Sequence, residues 1–293
     1  DGSFLKYAPF GAIVTNIDSD HLDHFVSDKA LHAAFFKFID NVTSTSCLFW
    51  CGDDPHLKQH FPVGVSYGFG EDCQLKISNY SQDGWQISFD VDFDGGHYEK
   101  IKLPLIGRHQ ALNGAAVFGL AFSLGVHEEL IREAFSTFAG VKRRCEFKGE
   151  HLGIRLYDDY AHHPVEIKTT LEGIRSAIGD ARLIAIYQPH RFTRARDCMG
   201  TFESVFDSAD EVFIVNIYSA GESPIKGVTD MEVFEDIASM NSTPIQFIQN
   251  SKLVEFLVNY LYPQDVLVTL GAGDVTYVSK NLLNRFESSI EKK

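Results

Sequence analysis

His190, Arg191, Arg194 and Arg196 place three arginines and a histidine within seven residues, directly after the apolar run Leu183–Tyr187. A guanidinium offers a planar fork of donors matched to carboxylate or phosphate oxygens, so this spacing at a strand's end suits capture of a small anion. The same charges could instead face water in a solvated loop. A second segment, 157–164, sets the carboxylates of Asp158 and Asp159 and the imidazoles of His162 and His163 beside Tyr157 and Tyr160. Asp159 can accept hydrogen bonds from ribose hydroxyls there, and His162 can meet a carboxylate or assist an amine nucleophile. Alternatively, Asp159 caps a turn while His163 and Pro164 open a helix. Asp20, His21, Asp23 and His24 have the residue types for a hard cation, although loops before helices are often aspartate-rich. Residues 107–113 begin a helix in which Asn113 can read an adenine edge or satisfy a backbone group. Gly271, Ala272, Gly273 and Asp274 let backbone approach a ligand, as a common glycine turn also does.

These segments need elements to hold them. Residues 10–17 read as a buried strand running into polar 18–24, followed by a helix at 28–38 and a strand at 46–50. From 64 to 105 the texture becomes an antiparallel meander: alternating runs 74–77, 85–93 and 98–103 are separated by glycine turns. Helices at 110–124 and 127–138 follow. The short, basic, glycine-bounded stretch 140–149 reads as a junction, dividing the chain into 1–149 and 150–293. Beyond it, strands at 154–158, 183–187, 211–217, 244–247 and 265–270 alternate with helices at 165–178, 198–207, 231–240, 252–261 and 275–289. The expected fold class is α/β: an incomplete α/β domain with an antiparallel meander, then a Rossmann-like, mainly parallel α/β domain. Ligands of parallel sheets bind at the carboxyl ends of the strands, and 158–164, 188–196, 219–224 and 271–274 all fall there.

With 26 Lys plus Arg against 40 Asp plus Glu, the 293-residue chain has a formal net charge of -14, which argues against general affinity for nucleic acid or an anionic membrane. An anionic ligand must therefore be caught by a local basic site. The longest mostly apolar stretch, 111–126, is too short for an ordinary membrane span. The 5 cysteines form no CxxC pair, which favours free thiols in a reducing cytoplasm over disulfides or a zinc site.

In combination and in order, the motifs resemble the Mur ligases of peptidoglycan synthesis, and within them the branch that adds L-alanine. The resemblance rests on residues 13–17 with Asp20 and His21, Gly107-Arg108-His109 with Leu112 and Asn113, 158–164, 188–194, 220–225 and 271–274. It implies a central ATPase-type domain followed by the carboxyl-terminal ligase domain. The implied partners are UDP-N-acetylmuramate and L-alanine, joined with ATP and Mg2+ through an acyl phosphate. By this carry-over His21 binds magnesium, His109 and Asn113 meet adenine, Asp159 meets ribose, and Arg144 lies near the nucleotide phosphates. Tyr160, His162, His190, Arg191 and Arg194 would shape the site for L-alanine and the muramoyl carboxylate. Gln110 stands where the family commonly has asparagine.

The family's UDP-binding domain and its GxxGKT/S phosphate loop have no counterpart in these 293 residues. The resemblance therefore implies the greater part of a longer ligase, and the chain by itself is expected not to catalyse ligation. A fragment that binds only nucleotide or a partner is the second reading. A third is a metal-dependent hydrolase using Asp20, His21, Asp23 and His24 with His162 and His163.

Overall fold

Strand propensity and apolar runs build two sheets, one in each of two compact units, Asp1–Ala139 and Gly140–Lys293. The computed structural model describes residues 2–17, 27–60 and 63–290. In the first unit the strands β1 (Ala12–Val14), β2 (Leu48–Cys51), β3 (Val65–Gly68), β4 (Leu75–Asp83), β5 (Gln86–Phe93) and β6 (Gly96–Leu103) lie side by side in chain order. β1 through β4 pair in parallel, and β4, β5 and β6 form the expected antiparallel meander. The texture change at 64 hid one element: Val65–Gly68 is a parallel strand beside β2 and lies outside the meander. Helices α1 (Asp28–Asp40), α2 (Pro55–His60), α3 (Arg108–Ser123) and α4 (Glu128–Ser136) accompany this sheet. α3 presents Ala111, Ala115 and Phe118, each 0% exposed, to a core that contains Phe49, Leu75 and Phe89. Gly119 permits that approach, since a Cβ there would stand 2.4 Å from Leu75 and 2.5 Å from Phe49.

The second unit holds β7 (Glu146–His151), β8 (Ile154–Asp159), β9 (Leu183–Tyr187), β10 (Glu211–Ile214), β11 (Ile245–Phe247) and β12 (Val266–Leu270) in the order β11-β10-β9-β12-β8-β7. All neighbours run parallel except β7, an antiparallel edge on β8. β9 and β12 are buried along their whole length, as parallel strands covered on both faces must be. The accompanying helices are α5 (Pro164–Ile178), α6 (Phe192–Cys198), α7 (Asp230–Ser239), α8 (Asn250–Tyr260) and α9 (Val278–Ile290). The α/β class and the Rossmann-like second unit agree with the sequence reading.

Two boundaries move. The junction lies at Ala139/Gly140, ten residues before the expected one, because β7 belongs to the second sheet. The helix expected at 198–207 is instead α6, at Phe192–Cys198. Gly200 (φ 79°) and Ser204 (φ 58°) interrupt the later stretch, which buries Phe202, Val205 and Phe206 through successive turns. Apolar spacing of i, i+3 and i+4 was thus met without a helix. Among the described residues no helix is long and apolar enough to cross a membrane.

The position of β7 carries a prediction. Residues 140–293 should unfold in one cooperative transition, whereas 150–293, stripped of most of the edge strand and of Arg143 and Cys145, should unfold at lower denaturant with a broader transition. Urea melts followed by circular dichroism compare them directly. Equal midpoints would mean that β7 is dispensable.

Candidate active site

Because β10, β9, β12 and β8 are consecutive in the sheet, the loops leaving their carboxyl ends are neighbours. All four candidate segments of the second unit gather there. Asp158, 0% exposed at the end of β8, accepts hydrogen bonds from Thr269 Oγ1 (2.7 Å), Thr276 Oγ1 (2.8 Å) and Arg143 Nε (3.1 Å). The same guanidinium donates through Nη2 to Gly271 O at 2.5 Å, tying the glycine turn to β8. Asp159 is 4% exposed and accepts from Ala161 N (2.7 Å), Cys145 N (2.8 Å) and Thr170 Oγ1 (3.3 Å). Burial raises its pKa against these donors. In this structure its carboxylate anchors the loop; Oδ2 takes two of these bonds and Oδ1 only the one from Ala161, which leaves Oδ1 an acceptor site for the ribose contact expected of it.

The glycine turn is demanded by close packing. A Cβ on Gly273 would stand 2.4 Å from Gln188 Oε1 and 2.7 Å from Tyr218 Cγ, and Gly271 has φ 146° with Gln188 O 2.9 Å from its Cβ position. Gln188, fully buried, spends its amide on this turn, donating to Asp274 Oδ1 (2.6 Å) and accepting from Val275 N (3.0 Å).

The arginine segment follows. Arg191 N donates to Tyr218 O (2.8 Å) and Tyr218 N to Pro189 O (2.9 Å), while the His190 ring stacks on Tyr218 at 5.5 Å and 11°. Arg191 has φ 67° at the start of α6, and its guanidinium makes no hydrogen bond or ion pair with another described residue. Arg194 Nη1 lies 3.2 Å from His190 Nδ1. A guanidinium only donates, so Nδ1 is the acceptor and the ring proton sits on Nε2. Partial burial, followed by the charges of Arg194, His162 and Arg191, lowers the His190 pKa to about 4. This ring should thus stay neutral at neutral pH. In a pH titration followed by proton NMR its ring signals should move only near pH 4, and Arg194→Leu should shift the midpoint upward. A midpoint near the ordinary 6.5 would contradict the arrangement.

His162, 8% exposed, lies between this segment and Tyr160: ring centroids are 6.3 Å apart to His190 and 5.3 Å to Tyr160. Its Nδ1 is 3.0 Å from the Tyr160 carbonyl, which can only accept, so Nδ1 carries the proton and Nε2 the lone pair in the neutral ring. Glu166 accepts from the backbone of His162 and His163, starting α5 with a capping box around Pro164. Arg144, exposed, stands over the Tyr160 ring at 5.6 Å and 3.8 Å from Glu166. Arg144, Tyr160, His162, His190 and Arg194 thus form one continuous array, and the charge of the adjacent Arg191 acts on His190. Arg143, Gln188, Tyr218 and Glu222 belong to its framework. The motif segments contain Gln188 and Glu222 without giving them individual roles, Tyr218 lies just before 219–224, and Arg143 falls in the stretch read as a junction.

In the first unit α3 carries His109, half-buried, and Asn113, exposed, one helical turn apart with Gln110 beside them. Gly107 (φ 90°) begins this helix; a Cβ there would meet His109 at 2.7 Å, so glycine is required. Arg108 lies over the Phe69 ring at 3.3 Å. The exposed face near these residues offers stacking and amide groups suited to a base. His21, the expected magnesium ligand, lies outside the described residues, as do Asp20, Asp23 and His24. Among the described residues no group of three or more His, Cys, Asp or Glu is placed to hold a metal ion.

A parallel sheet whose strand ends gather arginines, histidines and a glycine turn, following a parallel sheet with an antiparallel extension, defines a two-unit α/β architecture. The chain belongs to the Mur ligase family: residues 3–121 match the Mur ligase middle domain and residues 143–273 the Mur ligase glutamate ligase domain. It is 50% identical over 289 residues to UDP-N-acetylmuramate--L-alanine ligase of Protochlamydia amoebophila, covering 98% of this chain and 64% of that relative. The crystal structure of UDP-N-acetylmuramate-alanine ligase from Thermotoga maritima superposes with TM-score 0.79 at 26% identity, covering 99% of this chain and 62% of that one. The fold is also that of the MurF ligase from Thermotoga maritima in complex with ADP, with TM-score 0.72 at 17% identity, 99% of this chain and 65% of that one.

Proposed function

We propose that the protein, at the full length of its relatives, joins L-alanine to UDP-N-acetylmuramate at the expense of ATP. The observation that carries this reading is the array of Arg191, Arg194, His190 and His162 at the strand ends of the second unit. Its support is the 50% identity to a protein of that name. The γ-phosphoryl group passes to the muramoyl carboxylate, the amine of L-alanine attacks the acyl phosphate, and the tetrahedral intermediate collapses with loss of phosphate. Such chemistry is governed by positioning and charge neutralisation.

The residues have complementary tasks. Arg191 and Arg194 hold carboxylate or acyl phosphate oxygens through charge-assisted hydrogen bonds. His190, neutral with its proton on Nε2, donates to an anionic oxygen without adding charge. His162, with its lone pair on Nε2, takes the proton that the attacking amine nitrogen of alanine loses as the amide forms. Arg144 neutralises nucleotide phosphates, and His109 and Asn113 contact adenine. Magnesium would offset phosphate charge, with His21 as the residue expected to bind it.

The test is stoichiometric. With the full-length protein, each alanine incorporated should release one ADP and one phosphate, and product should require ATP, UDP-N-acetylmuramate and alanine together. Alanine-independent phosphate release with no amide product would overturn the reading, as would nucleotide-free hydrolysis on metal addition.

A further inference from the structure

Segment 218–222 after β10 is tied to the arginine segment at three levels. Its backbone exchanges two hydrogen bonds with 189–191, Tyr218 stacks on His190, and Glu222 reaches the start of α6. There Glu222 Oε1 accepts from Thr193 Oγ1 at 2.7 Å and Oε2 from Thr193 N at 3.0 Å. We propose that Glu222 is a positioning residue that fixes the direction of the Arg191 side chain toward the substrate anion; this rests on the function proposed above.

The physical case begins with backbone cost. Arg191 adopts φ 67°, a left-handed region that a non-glycine residue keeps only when its surroundings over-determine it. The tie on its amino side is the 2.8 Å bond from its own N–H to Tyr218 O, and the tie on its carboxyl side is the Glu222 carboxylate on Thr193. α6 has no capping side chain of its own, so Glu222 satisfies a helix-start N–H from 29 residues away. Both carboxylate oxygens accept from Thr193, and the Arg191 charge acts on Glu222 with no hydrogen bond or ion pair between the two side chains. The guanidinium therefore keeps its donor fork for a ligand. Despite partial burial, Thr193, then Arg191, hold the Glu222 carboxyl below its ordinary range, so it is ionised at neutral pH. Glutamine at 222 would keep the shape, lose the charge, and turn an N–H2 group toward one of the two Thr193 donors.

Steady-state ligation by the full-length protein tests this in a double-mutant cycle. Glu222→Gln should lower kcat/KM for L-alanine by about 5- to 20-fold, mostly through KM, with KM for ATP within about twofold of the parent. In an Arg191→Ala background the same change should add less than about twofold, because Glu222 acts through Arg191. Thr193→Val, which removes only the hydroxyl donor, should give a smaller loss in the same direction and serves if the glutamine variant folds poorly. Equal losses in both backgrounds would reduce Glu222 to a general structural residue and overturn the inference. Impaired Arg191→Ala beside a parent-like Glu222→Gln would overturn this inference alone. Parent-like Arg191→Ala would overturn the underlying substrate assignment and this inference with it.

Discussion

Arg191→Ala in the full-length protein is expected to lower kcat/KM for ligation by about ten- to hundredfold, the kinetic equivalent of losing one charge-assisted hydrogen bond of about 1.5–3 kcal/mol. Arg194→Ala should fall in the same range, with an added change in the titration of His190, whose Nδ1 it contacts at 3.2 Å. Arg155→Ala is the control: it lies near the amino end of β8, paired with β12 and β7, away from the carboxyl ends of the strands. Lysine at 191 should recover only part of the loss, since an ammonium supplies charge without the planar fork. Three parent-like alanine variants would return the cluster to a solvated loop.

Asp158→Ala should cost about 3–5 kcal/mol of unfolding free energy in residues 140–293, the largest stability effect expected of a single substitution at the site. The carboxylate is fully buried and serves three donors on three segments: Arg143 before β7, Thr269 on β12 and Thr276 after it. Removing it strands the Arg143 guanidinium, 25% exposed, beside two hydroxyls, and loosens the turn that Arg143 holds through Gly271 O. Urea denaturation should show a lower midpoint with an unchanged slope, whereas Glu172→Ala, on an exposed face of α5, should stay within about 0.5 kcal/mol of the parent. A stability loss below about 1 kcal/mol would mean that water replaces the carboxylate at little cost.

The second sheet was legible because parallel strands buried on both faces read as continuous apolar runs, and 183–187 was placed to the residue. The arginine and histidine cluster was legible by density alone. What could not be read is what sheet order creates. Thr193 and Glu222 are 29 residues apart and meet because β9 and β10 are neighbours. β7, with only Phe147 apolar among Glu146–His151, has no strand signature beyond the partner it covers, so its stretch resembled a junction. α6 is rich in arginine and is capped by a distant carboxylate, so local propensity pointed past it to Phe202, Val205 and Phe206. Residue type did not show that both carboxylates of 158–159 are buried and spent on three donors each, Asp158 on Arg143, Thr269 and Thr276 and Asp159 on Cys145, Ala161 and Thr170.

In the proposed reaction the strand ends of the second unit receive the amino acid and the activated carboxylate. A crystal structure of the full-length protein with its amide product, UDP-N-acetylmuramoyl-L-alanine, tests it most directly. The account predicts the alanyl carboxylate within hydrogen-bond distance of Arg191 or Arg194, with His190 Nε2 and His162 Nε2 facing the new amide. A product seated elsewhere, with these four side chains turned to solvent, would contradict it.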